Sequence, residues 1–257
     1  MLSLNRSVFL KELRENRWKA VAFAAVLVAS AAANVFAYNY LQSMFQSAGQ
    51  TVPDFFKNQI NAMMGSYSTY VWSSWFGKSL YQMSTLFLIL LGMSTMASEV
   101  SRGTASYLLT KPVSRGTVLF SKWLAQAAIF VTMIIAGTAL LYPMSLAIGQ
   151  TYDFGLHLAS LPLALSSGLV VLTLAVVASV GFDDPVKAGG ASAIFLIALS
   201  VLGFFKTTQR WSLFYYFSAA PVAVSGGDPQ WLHVLVMLAI TAAVYLVGAR
   251  LLERKDF

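Results

Sequence analysis

Six long apolar runs in this sequence contain no Asp, Glu, Lys or Arg: Ala20–Pro53, Ser79–Ser98, Trp123–Tyr152, Phe154–Phe182, Ala188–Phe205 and Pro229–Ala249. Each is close to the length a bilayer-spanning helix needs, roughly 20 residues at about 1.5 Å of rise apiece. A water-soluble core has no room for so many. The chain is 58% apolar and 11% charged, whereas soluble domains average about 45–50% and about 25%. With 18 Phe, 11 Tyr and 6 Trp, disorder is excluded as well, because that much apolar surface does not stay in water.

The runs predict an all-α membrane protein with six transmembrane helices, at Trp18–Tyr40, Ser79–Ser98, Lys122–Tyr142, His157–Phe182, Lys187–Phe205 and Trp231–Arg250. Two further charge-free runs are expected not to span. Asn58–Gly77 is too polar for lipid, and Trp211–Gly227 is short and interrupted by Pro221. Of the 17 Lys and Arg, only Lys57, Lys78, Lys206 and Arg210 fall on one side of these spans. The positive-inside bias therefore puts both termini, and the loops after spans two and four, in the cytoplasm. All six Trp fall at or near expected span ends, where an indole favours the headgroup region. The net charge of +7 reports topology and contact with anionic lipid, not nucleic acid, which would want the charge gathered on one exposed face.

One membrane domain, residues 1–257, accounts for the chain, since the longest connection, from Leu41 to Lys78, is shorter than an independent domain requires. The basic start, the apolar run and Val35-Phe36-Ala37 could be taken for a cleavable signal, but the run is too long, and an uncleaved anchor is expected. Over residues 1–17, Leu2, Phe9 and Leu13 share a helical face flanked by Val8 and Leu10, with Lys11, Arg14 and Glu15 opposite. That pattern predicts an amphipathic helix on the cytoplasmic membrane surface, or else a solvated extension of the first span.

Enzymatic motifs fail on spacing. Gly77-Lys78-Ser79 resembles the end of a phosphate-binding loop, but the Gly required five residues earlier is Trp72. Asp183 and Asp184 precede Pro185 and read as a helix start. Cysteine is absent and there are two His, so no metal centre is expected. His157 and His233, at the outer ends of spans four and six, are expected as interfacial, hydrogen-bonded imidazoles. No expected span carries a charge near its centre, which disfavours ion-coupled carriers and intramembrane proteases and places the energy source elsewhere. The small residues Ala25, Ala29, Ala33 and Ala37 of span one, with Ser84, Gly92 and Thr95 of span two and Ser166, Ser167 and Gly168 of span four, are expected at helix packing surfaces.

The segment Ser98–Lys122, SEVSRGTASYLLTKPVSRGTVLFSK, is the sharpest signal. Gly103 is expected to break span two and Thr104 to cap a short helix carrying Tyr107, Leu108 and Leu109. Pro112 ends that helix, because Lys111 before it is pushed from the helical region. Ser114 then caps a helix leading through Lys122 into span three. Exposed Leu and Tyr rimmed by Arg102, Lys111 and Arg115 would suit a groove on another protein, or lipid headgroups.

Glu99, Arg102-Gly103-Thr104, Leu108-Leu109, Pro112-Val113-Ser114-Arg115 and Lys122 resemble the second-span loop of permease subunits of ATP-binding-cassette exporters of type 2, also called type V. The basic ending Leu252–Phe257 and the run Ser212–Asp228, where those permeases fold two short helices back into the outer leaflet, are similar too. Ala105-Ser106 departs from the acidic residue many members carry there, and puts one salt bridge to the ATPase in doubt. The resemblance implies a cytoplasmic coupling helix within 99–117 and a re-entrant outer segment at 206–230. It also implies two permeases paired around a path through spans one, two and five in a prokaryotic cytoplasmic membrane. Two copies of a separate cassette ATPase, which bind ATP and Mg, would meet the coupling helix and the N-terminal helix, leaving this chain without cofactor. The competing class is a stand-alone membrane protein, an immunity or scaffold protein or a lipid-modifying enzyme.

Overall fold

The structure is a computed structural model and describes residues 4–48, 64–104 and 114–255. Among the described residues all regular structure is helical. A short helix α1 (Arg6–Glu15) precedes α2 (Arg17–Ala48). Next, α3 (Tyr67–Ser74) runs through a π-helical segment, Trp75–Leu80, into α4 (Tyr81–Gly92), followed by the one-turn α5 (Ala97–Ser101). Two long helices, α6 (Arg115–Ala147) and α7 (Phe154–Gly181), lead to α8 (Pro185–Val201), the short α9 (Leu213–Phe217) and α10 (Ala220–Val224), and finally α11 (Trp231–Arg254). Among the described residues five helices are long and apolar enough to cross a membrane: Arg17–Met44, Arg115–Ala147, Phe154–Gly181, Pro185–Phe204 and Trp231–Arg254.

The central element is α7, which packs against α4, α6, α8, α9 and α11. Small residues permit this crowding. A Cβ on Gly168 would lie 2.2 Å from Phe130 Cζ of α6, and one on Gly92 would lie 2.6 Å from Ala175 Cβ of α7. Ser84, Thr95, Ser166 and Ser167 are buried at these contacts, in line with the packing expectation.

The stripe of α2 behaves differently. Its packed face consists of Ala20, Phe23, Leu27, Ala31, Val35 and Tyr38, with Phe23 stacked 3.9 Å from Phe87. Ala25, Ala29 and Ala33 are exposed and Ala37 is half-buried, so the alanine stripe is not a packing surface within this chain. The reason is volume: Phe, Leu and Tyr on the other face bury more apolar area than methyl groups.

The second expected span, Ser79–Ser98, is also corrected. The helical path begins at Tyr67, capped by Ser66, and ends at Gly92. It absorbs part of the polar run that was expected to stay out, and its polar side chains are satisfied by neighbouring helices. Tyr67 Oη donates to Ser145 Oγ (2.7 Å), Tyr70 Oη to the Asn34 carbonyl (2.9 Å), Trp72 Nε1 to Ser160 Oγ (2.9 Å) and Trp75 Nε1 to Thr138 Oγ1 (3.0 Å). Trp75 is fully buried, not interfacial. At the other end, the Thr95 hydroxyl donates to the Gly92 carbonyl at 2.8 Å and turns the chain before α5. Lys19 of α2 reaches across to the Leu90 carbonyl (3.1 Å) and Ser94 Oγ (2.8 Å), satisfying an otherwise orphaned helix end.

Asp184 N-caps α8 by accepting from Lys187 N at 2.9 Å, with Pro185 at the first turn, as expected of a helix start. His157 departs from expectation: it is fully buried, its Nδ1 lies 3.3 Å from the Asp153 carbonyl, and its Nε2 has no hydrogen-bond partner. His233 Nδ1 is likewise buried without a partner. Both imidazoles are held against aromatic rings, Tyr152 and Tyr216, which bring no hydrogen bond to those nitrogens.

Between α8 and α11 the chain folds into α9 and α10, joined at Ala219, whose φ of 52° is the left-handed conformation a tight reversal needs. Phe217 anchors this pair, fully buried with its ring 6.4 Å from that of Phe130.

Candidate functional site

α1, α5 and the first turns of α6 meet around a buried ion cluster. It begins with α1. Asn5 caps this helix by accepting from Ser7 N (3.1 Å) and Val8 N (3.2 Å), while its own backbone N–H donates to Ser121 Oγ of α6 at 2.9 Å. Docked in this way, α1 half-buries Phe9 and Leu13 and leaves Lys11 and Arg14 exposed; Leu10, expected to flank the apolar face, is exposed as well, and Leu2 lies outside the described residues. Glu12 lies on the buried face with them and is 4% exposed.

The counter-charge for Glu12 comes from α6. Lys122, 2% exposed, places its ammonium 3.5 Å from Glu12 Oε2 and 2.9 Å from Glu99 Oε1, and donates to the Thr95 carbonyl at 2.9 Å. One turn on, Gln126 Nε2 donates to Glu12 Oε1 at 2.8 Å and also meets Thr95 Oγ1 at 3.0 Å. Asn16, at the break between α1 and α2, donates to the same Glu12 oxygen at 2.8 Å. On the outer side Lys11 lies 3.5 Å from both Glu99 and Glu15, and the Thr104 hydroxyl closes on Glu99 Oε2. Glu12 and Glu99 thus face Lys122 and Lys11, with the remaining lone pairs hydrogen-bonded, the condition under which a buried ion cluster is tolerable.

Burial alone would push the Glu99 carboxyl up. Lys122, the Thr104 hydroxyl and Lys11 outweigh it and hold the pKa at about 2. Burial likewise works against the Lys11 ammonium, but Glu99 and Glu15 leave it raised.

Of the expected coupling residues, Glu99, Thr104 and Lys122 come together in this cluster. Arg102 is exposed beside it, and Gly103 ends α5 with a φ of 68° that suits glycine. Ser114 N-caps α6 by accepting from Thr117 N at 3.2 Å. Tyr107, Leu108, Leu109, Pro112 and Val113 lie outside the described residues. Arg115, expected as a rim cation, instead donates from Nη1 to the carbonyls of Leu252 (3.1 Å) and Lys255. It ties the end of α11 to the start of α6, and Lys255 extends that tie to Asp183 at 2.6 Å.

Glu12, Asn16, Thr95 and Gln126 were not singled out as site residues by the sequence reading. A signal was present: Phe9, Glu12, Leu13 and Asn16 follow helical spacing on one face, and Lys122 and Gln126 stand four apart at the head of an apolar helix.

An all-helical chain with several apolar helices long enough to cross a bilayer, its charges gathered at the helix ends, defines a multi-pass membrane protein. Over residues 6–257 the chain matches the family described as ABC-2 family transporter protein, and it belongs to that family of transport permeases, which generally work with an ATPase partner. No curated protein matches it.

Proposed function

We propose that this chain is the transmembrane subunit of an ATP-binding-cassette exporter, paired with a second permease and driven by two copies of a separate ATPase that bind ATP and Mg. Six helices cross the prokaryotic cytoplasmic membrane, the second being Tyr67–Gly92, about 39 Å long at about 1.5 Å per residue. Both termini are cytoplasmic. The α9–α10 pair re-enters from the outer side, and α1 lies at the lipid headgroups of the inner side.

The observation that carries this reading is the Glu12–Lys122–Glu99 cluster. It ties α1 to Glu99 and Lys122, which stand on either side of the segment proposed to seat the partner. Force applied there passes directly into α6 and, through Lys19, into α2 and α4. A coupling helix within 99–117 is the seat proposed for the ATPase.

The test is copurification from cells in mild detergent. A cassette ATPase recovered with the wild type and lost with Leu108→Asp supports the assignment. A wild-type chain that purifies without any cassette ATPase points to the stand-alone class instead, and an ATPase fully retained by Leu108→Asp overturns the coupling helix.

A further inference from the structure

On the helical path Tyr67–Gly92, Lys78 lies roughly 16 Å from the Tyr67 end and roughly 21 Å from the Gly92 end at about 1.5 Å per residue, not at the edge that a span Ser79–Ser98 implies. It belongs to the π-helical segment Trp75–Leu80, whose rotation is fixed by its neighbours. Trp75, Phe76 and Leu80 are fully buried, Trp75 Nε1 donates to Thr138 Oγ1 at 3.0 Å, and Asn34 Nδ2 of α2 donates to Ser79 Oγ at 3.0 Å. Gly77 and Lys78 are left on the outward face, and both are exposed. A π-helical turn of this kind is a frequent mark of a functional site.

Among the described residues Lys78 makes no hydrogen bond or ion pair. A cation within a membrane is costly and almost always faces a partner or a water-filled cavity. The headgroups are out of reach, because a four-carbon stem does not cover roughly 16 Å. Apart from Glu253 at the end of α11, the helices read as crossing contain no Asp or Glu, so neither this chain nor a second copy brings a carboxylate to that depth. Beside Lys78 there is open space: a Cβ added at Gly77 has only Ser73 Cβ within 4 Å, at 3.9 Å. Gln82, four positions on and also exposed, adds amide N–H donors on the same side of the helix.

We propose that Lys78 holds an anionic group of the transported substrate, a phosphate, sulfate or carboxylate, and restricts the path to anionic substrates. A neutral substrate leaves the ammonium unpaired at mid-depth, and a cationic one is repelled. The inference rests on reading Tyr67–Gly92 as the second crossing, facing the path between paired permeases, and adds the substrate class to that reading.

The test uses the whole chain, purified in mild detergent with the partners it retains and placed in phosphatidylcholine nanodiscs. Gly77→Cys supplies the single thiol of a cysteine-free chain. Its reaction rates are measured with an anionic reagent, sulfonatoethyl methanethiosulfonate, and a cationic one, trimethylammonioethyl methanethiosulfonate. The anionic-to-cationic rate ratio is expected to fall about tenfold when Lys78→Gln is added and to return with Lys78→Arg, because a unit charge beside the thiol sets the local potential. Dodecyl phosphate, phenyl phosphate or both should protect the thiol saturably, with dodecyl glucoside and dodecyl trimethylammonium about tenfold weaker, and protection should vanish in Lys78→Gln and persist in Lys78→Arg. Protection by dodecyl phosphate alone assigns the anion to an amphiphile, and protection by phenyl phosphate assigns it to a soluble substrate; either supports the proposal.

A rate ratio indifferent to Lys78→Gln overturns the inference, as does equal protection by the neutral and cationic amphiphiles. If Gly77→Cys does not fold, Gln82→Cys serves as the reporter with the same consequences for the rate ratio. Failure of the crossing itself reads differently: Lys57→Cys and Arg102→Cys would then react from the same side of intact cells with an impermeant thiol reagent, which overturns the crossing and the inference together. Opposite sides without anion protection overturn the inference alone.

Discussion

Lys122 and Glu99 meet at 2.9 Å although they stand 23 positions apart in sequence, so one ion pair joins α5 to α6 across the segment that would receive the ATPase. Lys122→Met leaves Glu12 and Glu99 buried with reduced compensation, and is expected to cost about 3–5 kcal/mol. Adding Glu99→Gln to it should recover part of that loss, a coupling of about 0.5–3 kcal/mol. Chemical unfolding of the three variants in detergent gives the cycle. Strict additivity would mean that the pair does not act as a unit.

Acid should loosen the same cluster. Glu99 is held at about 2 against an ordinary value of 4.5, so its contribution is complete above 4.5 and is lost as pH falls through that interval toward about 2. A thermal midpoint followed downward from neutral pH should fall more steeply in the wild type than in Glu99→Gln, and identical profiles would contradict the assignment.

Close packing around α7 predicts a graded response to added methyl groups. Gly168→Ala forces a Cβ to within 2.2 Å of Phe130 Cζ and should cost about 1–3 kcal/mol. Gly190→Ala meets nothing within 4 Å and should be neutral or slightly stabilising. Melting of the two purified variants checks the order.

Arg115→Ala should act on the carboxyl-terminal end as well as on any partner. On a rim-charge reading it would alter only salt-dependent encounter. Here it removes the donor to the Leu252 and Lys255 carbonyls, and limited proteolysis should clip the terminus after α11 faster in the variant. Leu108→Asp should leave that cleavage rate unchanged while releasing the ATPase.

Orientation is checked by single cysteines, for which the cysteine-free chain is suited. Positions 57 and 210 should react with an impermeant thiol reagent in intact cells, and position 111 should not. Reaction at 111 alone would reverse the proposed orientation.

Long charge-free runs made five of the helices readable, because excluding charge from lipid acts on sequence directly, although the helix Arg115–Ala147 extends beyond the expected Lys122–Tyr142 at both ends. The second expected span, Ser79–Ser98, differs at both ends from the helical path Tyr67–Gly92 found there. Its stop depends on the Thr95 hydroxyl reaching the Gly92 carbonyl, and its start on Ser145, Asn34, Ser160 and Thr138 satisfying polar side chains from other helices. The partners that hold the start are 36 to 88 positions away in sequence, and local sequence does not carry them. Glu99 and Lys122 stood out within a motif, whereas Glu12 became meaningful only once the docking of α1 on α6 supplied its counter-charge. Arg115 was read by its charge, and the carbonyls it bonds belong to the far end of the chain.

The placement of Glu12 also orders the protein's assembly. Its hydrogen-bond partner Gln126 lies 114 residues further along the chain, and Lys122 just before it. Until α6 has been made, neither the Lys122 ammonium nor the Gln126 amide is there to meet that carboxylate. Only after α6 has entered the membrane can α1 close over the cluster. The earliest-made helix therefore waits for α6, and its docked position depends on a helix made far later than itself.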